Sequence, residues 1–158
     1  MGQHRLHLGM GLIVSAALLL VACGGTFTSP TATPIPLDPT GAPISVIARG
    51  KTVFVKKVCN SCHIVKGFDE AIGLVGPDLT TIYRSAASTI QTSAYKASKG
   101  RATTAIDYIR ESILDPNAFI YPSCPTAACQ PNLMIEDFKE TISPDDLEAL
   151  MAYLVSLR

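Results

Sequence analysis

Cys59-Asn60-Ser61-Cys62-His63 constrains this chain more than any other stretch. Two thiols three positions apart, with a histidine directly after, match the spacing by which a chain binds haem covalently. On a short helical turn Cys59 and Cys62 share one face, near enough to reach the two vinyl groups of one porphyrin. His63 is then carried over the ring plane, where an imidazole nitrogen can bind iron. Three other uses of a CxxC pair stay open on the residues alone: a thioredoxin-like redox pair, half of a zinc site, or a structural disulfide. A thioredoxin-like pair expects a preceding strand in a βαβ pattern, and convincing strands are few here. Zinc needs about four ligands. Cys124 and Cys129 could add two, but their short spacing and proline-rich surroundings suit a loop disulfide at least as well.

The front of the chain reads as an address. Residues 1–22 open with Arg5, the α-amino group and two histidines, and continue into an apolar run from Leu8 to Ala22. That run is short for a membrane span, which takes ~20 apolar residues, and suits the apolar region of an export signal. Leu20-Val21-Ala22-Cys23-Gly24 resembles the bacterial lipobox, in which the cysteine is lipidated and becomes the mature N-terminus. The other reading is an ordinary signal or uncleaved anchor, with Cys23 a plain thiol. Two or three acyl chains on Cys23 would anchor stably, whereas a single chain binds only marginally. Residues 23–43 then form a tether rich in Pro and Thr with one charge, Asp38, and no apolar periodicity. Such a segment buries no core and is expected to run extended. In an exported protein, setting aside Cys23, Cys59 and Cys62 leaves Cys124 and Cys129 as an even remainder, which suggests a disulfide closing a small loop before Met134.

Residues 44–158 suffice for one small domain and not for two. Their periodicities are mostly helical and predict an all-α fold, which the Cys59–His63 motif would wrap around one haem. Ser45–Val58 places Val46, Ile47, Gly50, Val53, Phe54 and Val58 on overlapping faces, and Ser61–Val65 is the expected haem turn. Thr104–Asp115 carries a stripe of Ile106, Ile109, Ile113 and Leu114, with Thr104 and Asp107 spaced as a capping box. Ser143-Pro144-Asp145-Asp146 supplies an N-cap, a first-turn proline and acids at the positive end of the helix dipole. Leu147, Leu150, Met151, Leu154 and Leu157 repeat behind it at helical steps. Gly76–Leu79 and Pro122–Pro131 read as loops, and residues 84–101, rich in Ser, Ala and Thr, have no clear pattern.

The second axial position decides the chemistry. Histidine–methionine ligation favours electron transfer at raised potential, and an open position favours small-ligand binding. His63 is the sole histidine of the expected mature domain, so a second histidine from the same chain is excluded. Met134 and Met151 follow the motif. Met151 belongs to the apolar stripe of the last helix and reads as core. Met134 sits in the irregular segment Pro131-Asn132-Leu133-Met134-Ile135-Glu136-Asp137-Phe138 and is the expected ligand, because a loop can bring a thioether to iron. The rival reading makes Met134 an apolar plug over an empty or water-bound position.

With these residues in view, the chain from about Gly50 to Leu157 resembles a class I single-haem cytochrome c domain, closest to those found in or serving haem-copper oxidases. Gly50-Lys51-Thr52-Val53-Phe54 is similar to the family's first helix, whose glycine and aromatic pack against the last helix, here at Tyr153. Gly76-Pro77-Asp78-Leu79-Thr80 resembles the loop whose proline carbonyl accepts a hydrogen bond from the ligating histidine, which makes Pro77 the implied support for His63. Met134–Phe138 and Met151–Leu157 resemble the axial-methionine loop and closing helix. The family often has proline directly after the methionine, where this chain has Ile135. The resemblance implies haem c, one-electron exchange and no substrate transformed by the chain alone. Its implied partners are redox proteins: a terminal oxidase, a quinol-oxidising complex or a reaction centre. With Cys23 as anchor, the expected place is the outer face of the cytoplasmic membrane. A fixed subunit of a larger oxidoreductase is the alternative, and a haem-based gas sensor a third.

The chain is neutral overall, yet residues 44–101 hold nine Lys and Arg against three Asp and Glu, and residues 102–158 hold three against nine. If the halves occupy different sides, the resulting dipole steers docking; interleaved by folding, they cancel. Basic residues are not clustered with stacking aromatics, which argues against nucleic-acid binding.

Overall fold

The computed structural model describes residues 34–158. The expected export signal, Cys23 and the tether up to Thr33 lie outside the described residues. The described chain runs through α1 (Ile44–Lys56), α2 (Cys59–Cys62), α3 (Ile82–Thr89), α4 (Ser93–Lys96), α5 (Ala105–Leu114), α6 (Phe138–Thr141) and α7 (Pro144–Ser156). Among the described residues, β pairing is limited to two isolated bridges, Leu37 with Pro43 and Ile64 with Ile72, so the architecture is all-α. No described helix is long and apolar enough to cross a membrane. Residues 36–43 do not run extended. Asp38 Oδ1 accepts from the Thr40 and Ala42 N–H groups at 2.9 and 3.1 Å, and the Ile44 N–H reaches back to the Pro36 carbonyl at 3.1 Å.

The crossing of α1 on α7 is the broadest helix contact. It depends on Gly50, which is buried directly against the backbone of Ala149 and the Cβ of Tyr153. One turn on, Phe54, 1% exposed, meets the Tyr153 ring edge-on with centroids 5.6 Å apart. Local chemistry starts α7: Ser143 Oγ accepts from the Asp146 N–H at 3.2 Å, Pro144 occupies the first turn, and Asp145 and Asp146 face the positive dipole end. Leu147, Leu150, Met151 and Leu154 are all buried, which makes Met151 a core residue.

Helix α5 begins at its expected cap, with Thr104 Oγ1 accepting from the Asp107 N–H at 3.1 Å. Its buried face differs from the expected stripe. Ile106 is 44% exposed, and Tyr108 takes its place beside Ala105, Ile109 and Ile113. The cause is an aromatic cluster. Tyr108 packs edge-on to Tyr95 and Phe119, which pack edge-on to each other, and together they turn Ile106 outward. Residues 84–101, without pattern in the sequence, form the end of α3, then α4 with its buried Tyr95. The Tyr95 hydroxyl donates to Glu111 and accepts from the Ala102 N–H at 2.7 Å.

Helix α1 ends at Lys56, before Val58, because Val58 adopts a left-handed conformation with φ 54°. This bend redirects the chain into α2. A β-branched residue there costs about 1–2 kcal/mol, more than the extra unfolded-state entropy of glycine returns. Val58→Gly is therefore expected to stabilise the fold by about 1 kcal/mol and raise the melting midpoint by a few degrees, as followed by helical circular dichroism. An unchanged or lower midpoint would count against strain at this bend.

Candidate functional site

The helical turn of the CxxCH motif covers Cys59–Cys62, earlier than the expected Ser61–Val65, and His63 is already extended at φ −113° and ψ 135°. A neighbouring loop ends the helix. The Gly76 N–H donates to the Cys62 carbonyl at 2.8 Å and the Leu79 N–H to the Ile64 carbonyl at 2.9 Å, occupying acceptors that a longer helix would use. Ser61 Oγ donates to the Val58 carbonyl at 2.6 Å and Asn60 Nδ2 to the Glu70 carbonyl at 3.0 Å, which pins the turn through the two residues between its cysteines. Cys59 and Cys62 are free thiols, not bonded to each other. Burial pushes the Cys59 thiol up to about 11, so it stays protonated at neutral pH.

His63 is held through one ring nitrogen. Its Nδ1–H donates to the Pro77 carbonyl at 2.9 Å. That bond selects the tautomer in which Nε2 keeps a free lone pair. Burial lowers the histidine's pKa and the Pro77 carbonyl partly opposes it; the net result is a neutral imidazole, the form that binds metals. Gly76 lies flat against the ring, where a Cβ would fall 2.6 Å from Nδ1 and 2.9 Å from Nε2.

The ring faces a system of three cavities, all lined by His63 and Met134. The first, about 630 Å³, also has Cys59, Cys62, Val75, Leu133 and the Cys124–Cys129 pair in its walls. The second, about 890 Å³, runs along Leu79, Ile109, Phe119 and Leu154 towards Tyr108, Ser112 and Tyr121. A third, about 370 Å³, reaches Phe54, Phe138 and Leu150 in the core. Met134 is half-buried, packed against the core, and flanked by exposed residues on both sides. Cys124 and Cys129 form a disulfide, and Thr126 within its loop donates to the Leu74 carbonyl at 3.4 Å.

These donors discriminate among uses of the motif. With Cys124 and Cys129 bonded to each other, a zinc site loses half its thiolates. Among the described residues no three His, Cys, Asp or Glu side chains are grouped to hold a metal ion. Among the described residues a thioredoxin-like arrangement lacks its strands. Two free thiols and a neutral, oriented imidazole in the wall of a large apolar cleft fit a porphyrin attached at its edge.

The comparison with known families agrees. The Cytochrome c family model matches residues 47–158. The chain belongs to the cytochrome c family. No curated protein and no solved structure matches it. Membership implies a haem c cofactor and an electron-transfer role. Around the cleft of this cytochrome, Asn117 beside the Met134 loop and the aromatic wall at Tyr108 and Phe119 are brought in by tertiary packing alone. Gly76 belongs to the loop that resembles the family's proline loop, but its place under the histidine ring is set by packing. The placement of Tyr108 was accessible only as an alternative phase of the α5 stripe.

Proposed function

We propose that this protein is a lipid-anchored, single-haem electron carrier working outside the cytoplasmic membrane. In this reading Cys59 and Cys62 would hold the porphyrin as thioethers, His63 and Met134 would bind its iron, and Pro77 fixes the His63 ring. Haem c, when bound, supplies an iron that cycles between Fe(II) and Fe(III). The observation that carries the reading is the Nδ1–Pro77 bond, which leaves Nε2 free in a cleft that Cys59, Cys62 and Met134 also line. The cleft walls are mostly apolar, and a thioether in place of water on the iron would raise its potential and close the site to small ligands. Cys23 provides the anchor and the segment after it the reach. The partners are redox proteins such as a terminal oxidase, a quinol-oxidising complex or a reaction centre, with the domain closest in kind to those serving haem-copper oxidases.

The test is the visible spectrum of the protein matured with haem c, oxidised and reduced, for wild type and Met134→Ala. Wild type is expected to be low-spin with the weak ferric methionine-to-iron band. Met134→Ala is expected to lose that band, bind carbon monoxide when reduced and fall in potential. A high-spin wild type unaltered by the substitution would favour gas binding over electron transfer.

One observation favours a second reading, a fixed haem c subunit of a larger oxidoreductase. Ile72 and Leu74, 70% and 46% exposed, are apolar side chains that line none of the three cavities. Stoichiometric co-purification with other subunits after detergent release would support it, and release as a monomer would support the mobile carrier.

A further inference from the structure

The segment that carries Met134 has no secondary structure to hold it. From Gln130 to Asp137 every residue is exposed except Met134, which is half-buried. Among the described residues, and apart from a local bond between Gln130 Nε2 and the Ala128 carbonyl, every hydrogen bond made by residues 130–136 ends on one side chain, Asn117. Asn117 Oδ1 accepts from the Asn132 N–H at 2.9 Å, and Asn117 Nδ2 donates to Glu136 Oε1 at 2.6 Å. The two partners stand two residues before and two residues after Met134, so one amide grips the loop symmetrically about it. Asn132 takes a left-handed conformation, φ 60°, at this grip.

Asn117 is itself well founded. It sits in a turn closed by the Ala118 N–H on the Asp115 carbonyl at 3.0 Å, directly after α5. The buried Ala118 carbonyl accepts from the Lys99 N–H at 3.1 Å, tying the turn to a second part of the chain. The grip thus transmits the rigidity of α5 to a loop that has none of its own. Both halves of the amide are used, one as acceptor and one as donor.

We propose that Asn117 is the positioning residue that holds the Met134 loop closed and so presents the Met134 thioether to iron. This rests on the reading of Met134 as an axial ligand. A carboxylate at position 117 keeps the acceptor for Asn132 but sets like charge against Glu136. Neutralising Glu136 to an amide then restores a donor, with the two roles exchanged.

The experiment compares haem-loaded wild type, Asn117→Ala, Asn117→Asp and the pair Asn117→Asp with Glu136→Gln. It reads the ferric methionine-to-iron band and carbon monoxide binding to the reduced protein, with helical circular dichroism as the check on folding. Two ordinary hydrogen bonds correspond to on the order of a tenfold change in the open population. Asn117→Ala is therefore expected to bind carbon monoxide about tenfold faster than wild type and to lose band intensity. Asn117→Asp is expected to do likewise, and the pair to recover most of the wild-type behaviour. Where Asn117→Ala fails to fold, the Asp variant and the pair decide. A wild-type band and carbon monoxide rate in the folded Asn117 variants, or a pair no better than Asn117→Asp, overturns the proposal while leaving Met134 a ligand. A wild type without the band, unaltered by Met134→Ala, overturns the ligand reading and this proposal with it.

Discussion

Gly50→Ala is expected to destabilise the domain by about 3 kcal/mol or more, a large share of the ~5–15 kcal/mol that holds a domain folded. Position 50 lies within α1, where alanine on its own would gain about 0.5–1 kcal/mol of helix propensity over glycine. Packing decides the sign. A Cβ at position 50 falls on the Ala149 carbonyl and within 2.7 Å of Tyr153 Cβ. Neither is the far end of a flexible side chain, so no rotamer change relieves the overlap. The helices must separate along their broadest contact, which also opens the Phe54–Tyr153 contact. Gly50→Val is expected to be worse, since it adds two methyl groups at the same place. Thermal unfolding of the haem-loaded protein measures both. A midpoint for Gly50→Ala equal to or above wild type would show that α1 and α7 do not cross this closely.

The second large effect is expected at Gly76, where the fold is spared and the site is not. Its backbone needs no glycine for conformational freedom; it needs the absence of a side chain. A Cβ there overlaps the His63 imidazole, 2.6 Å from Nδ1 and 2.9 Å from Nε2. In Gly76→Ala, either the ring turns away from the Pro77 carbonyl or the loop lifts and breaks the bond between the Gly76 N–H and the Cys62 carbonyl. Both outcomes loosen the histidine. The expected result is loss of the hydrogen-bonded Nδ1 proton resonance, a lower yield of covalent haem and a high-spin fraction in what is loaded, with helix content near wild type. Pro77→Ala is the matched control. The acceptor is the backbone carbonyl of residue 77, which alanine retains, so this substitution is expected to leave the Nδ1 proton in place and the spectrum low-spin. If the two variants behave alike, steric contact at Gly76 is not what seats the ring.

The same contrast separates what could be read along the chain from what could not. The Ser143 cap, the Thr104 cap and the buried stripe of α7 involve partners three or four residues apart, so their chemistry is local and visible in order of sequence. The CxxCH spacing is likewise local and suggested a porphyrin before any fold was known. The phase of α5 was not legible: Ile106 and Tyr108 are both apolar enough to face inward, and only Tyr95 and Phe119, arriving from other segments, favour Tyr108. The end of α2 at Cys62 is non-local for a similar reason, because the 76–79 loop takes the Cys62 and Ile64 carbonyls.

The sequence by itself therefore determined the all-α class, the caps, the CxxCH motif and the loop position of Met134, since each depends on residue type and short spacing. Beyond the Pro77 carbonyl, which the family resemblance already implies for His63, tertiary structure decided which atoms stand around His63 and Met134. Gly76 under the ring, Asn117 at the loop and the aromatic wall owe their places to contacts between distant segments, and no local propensity encodes the distance at which two such segments come to rest.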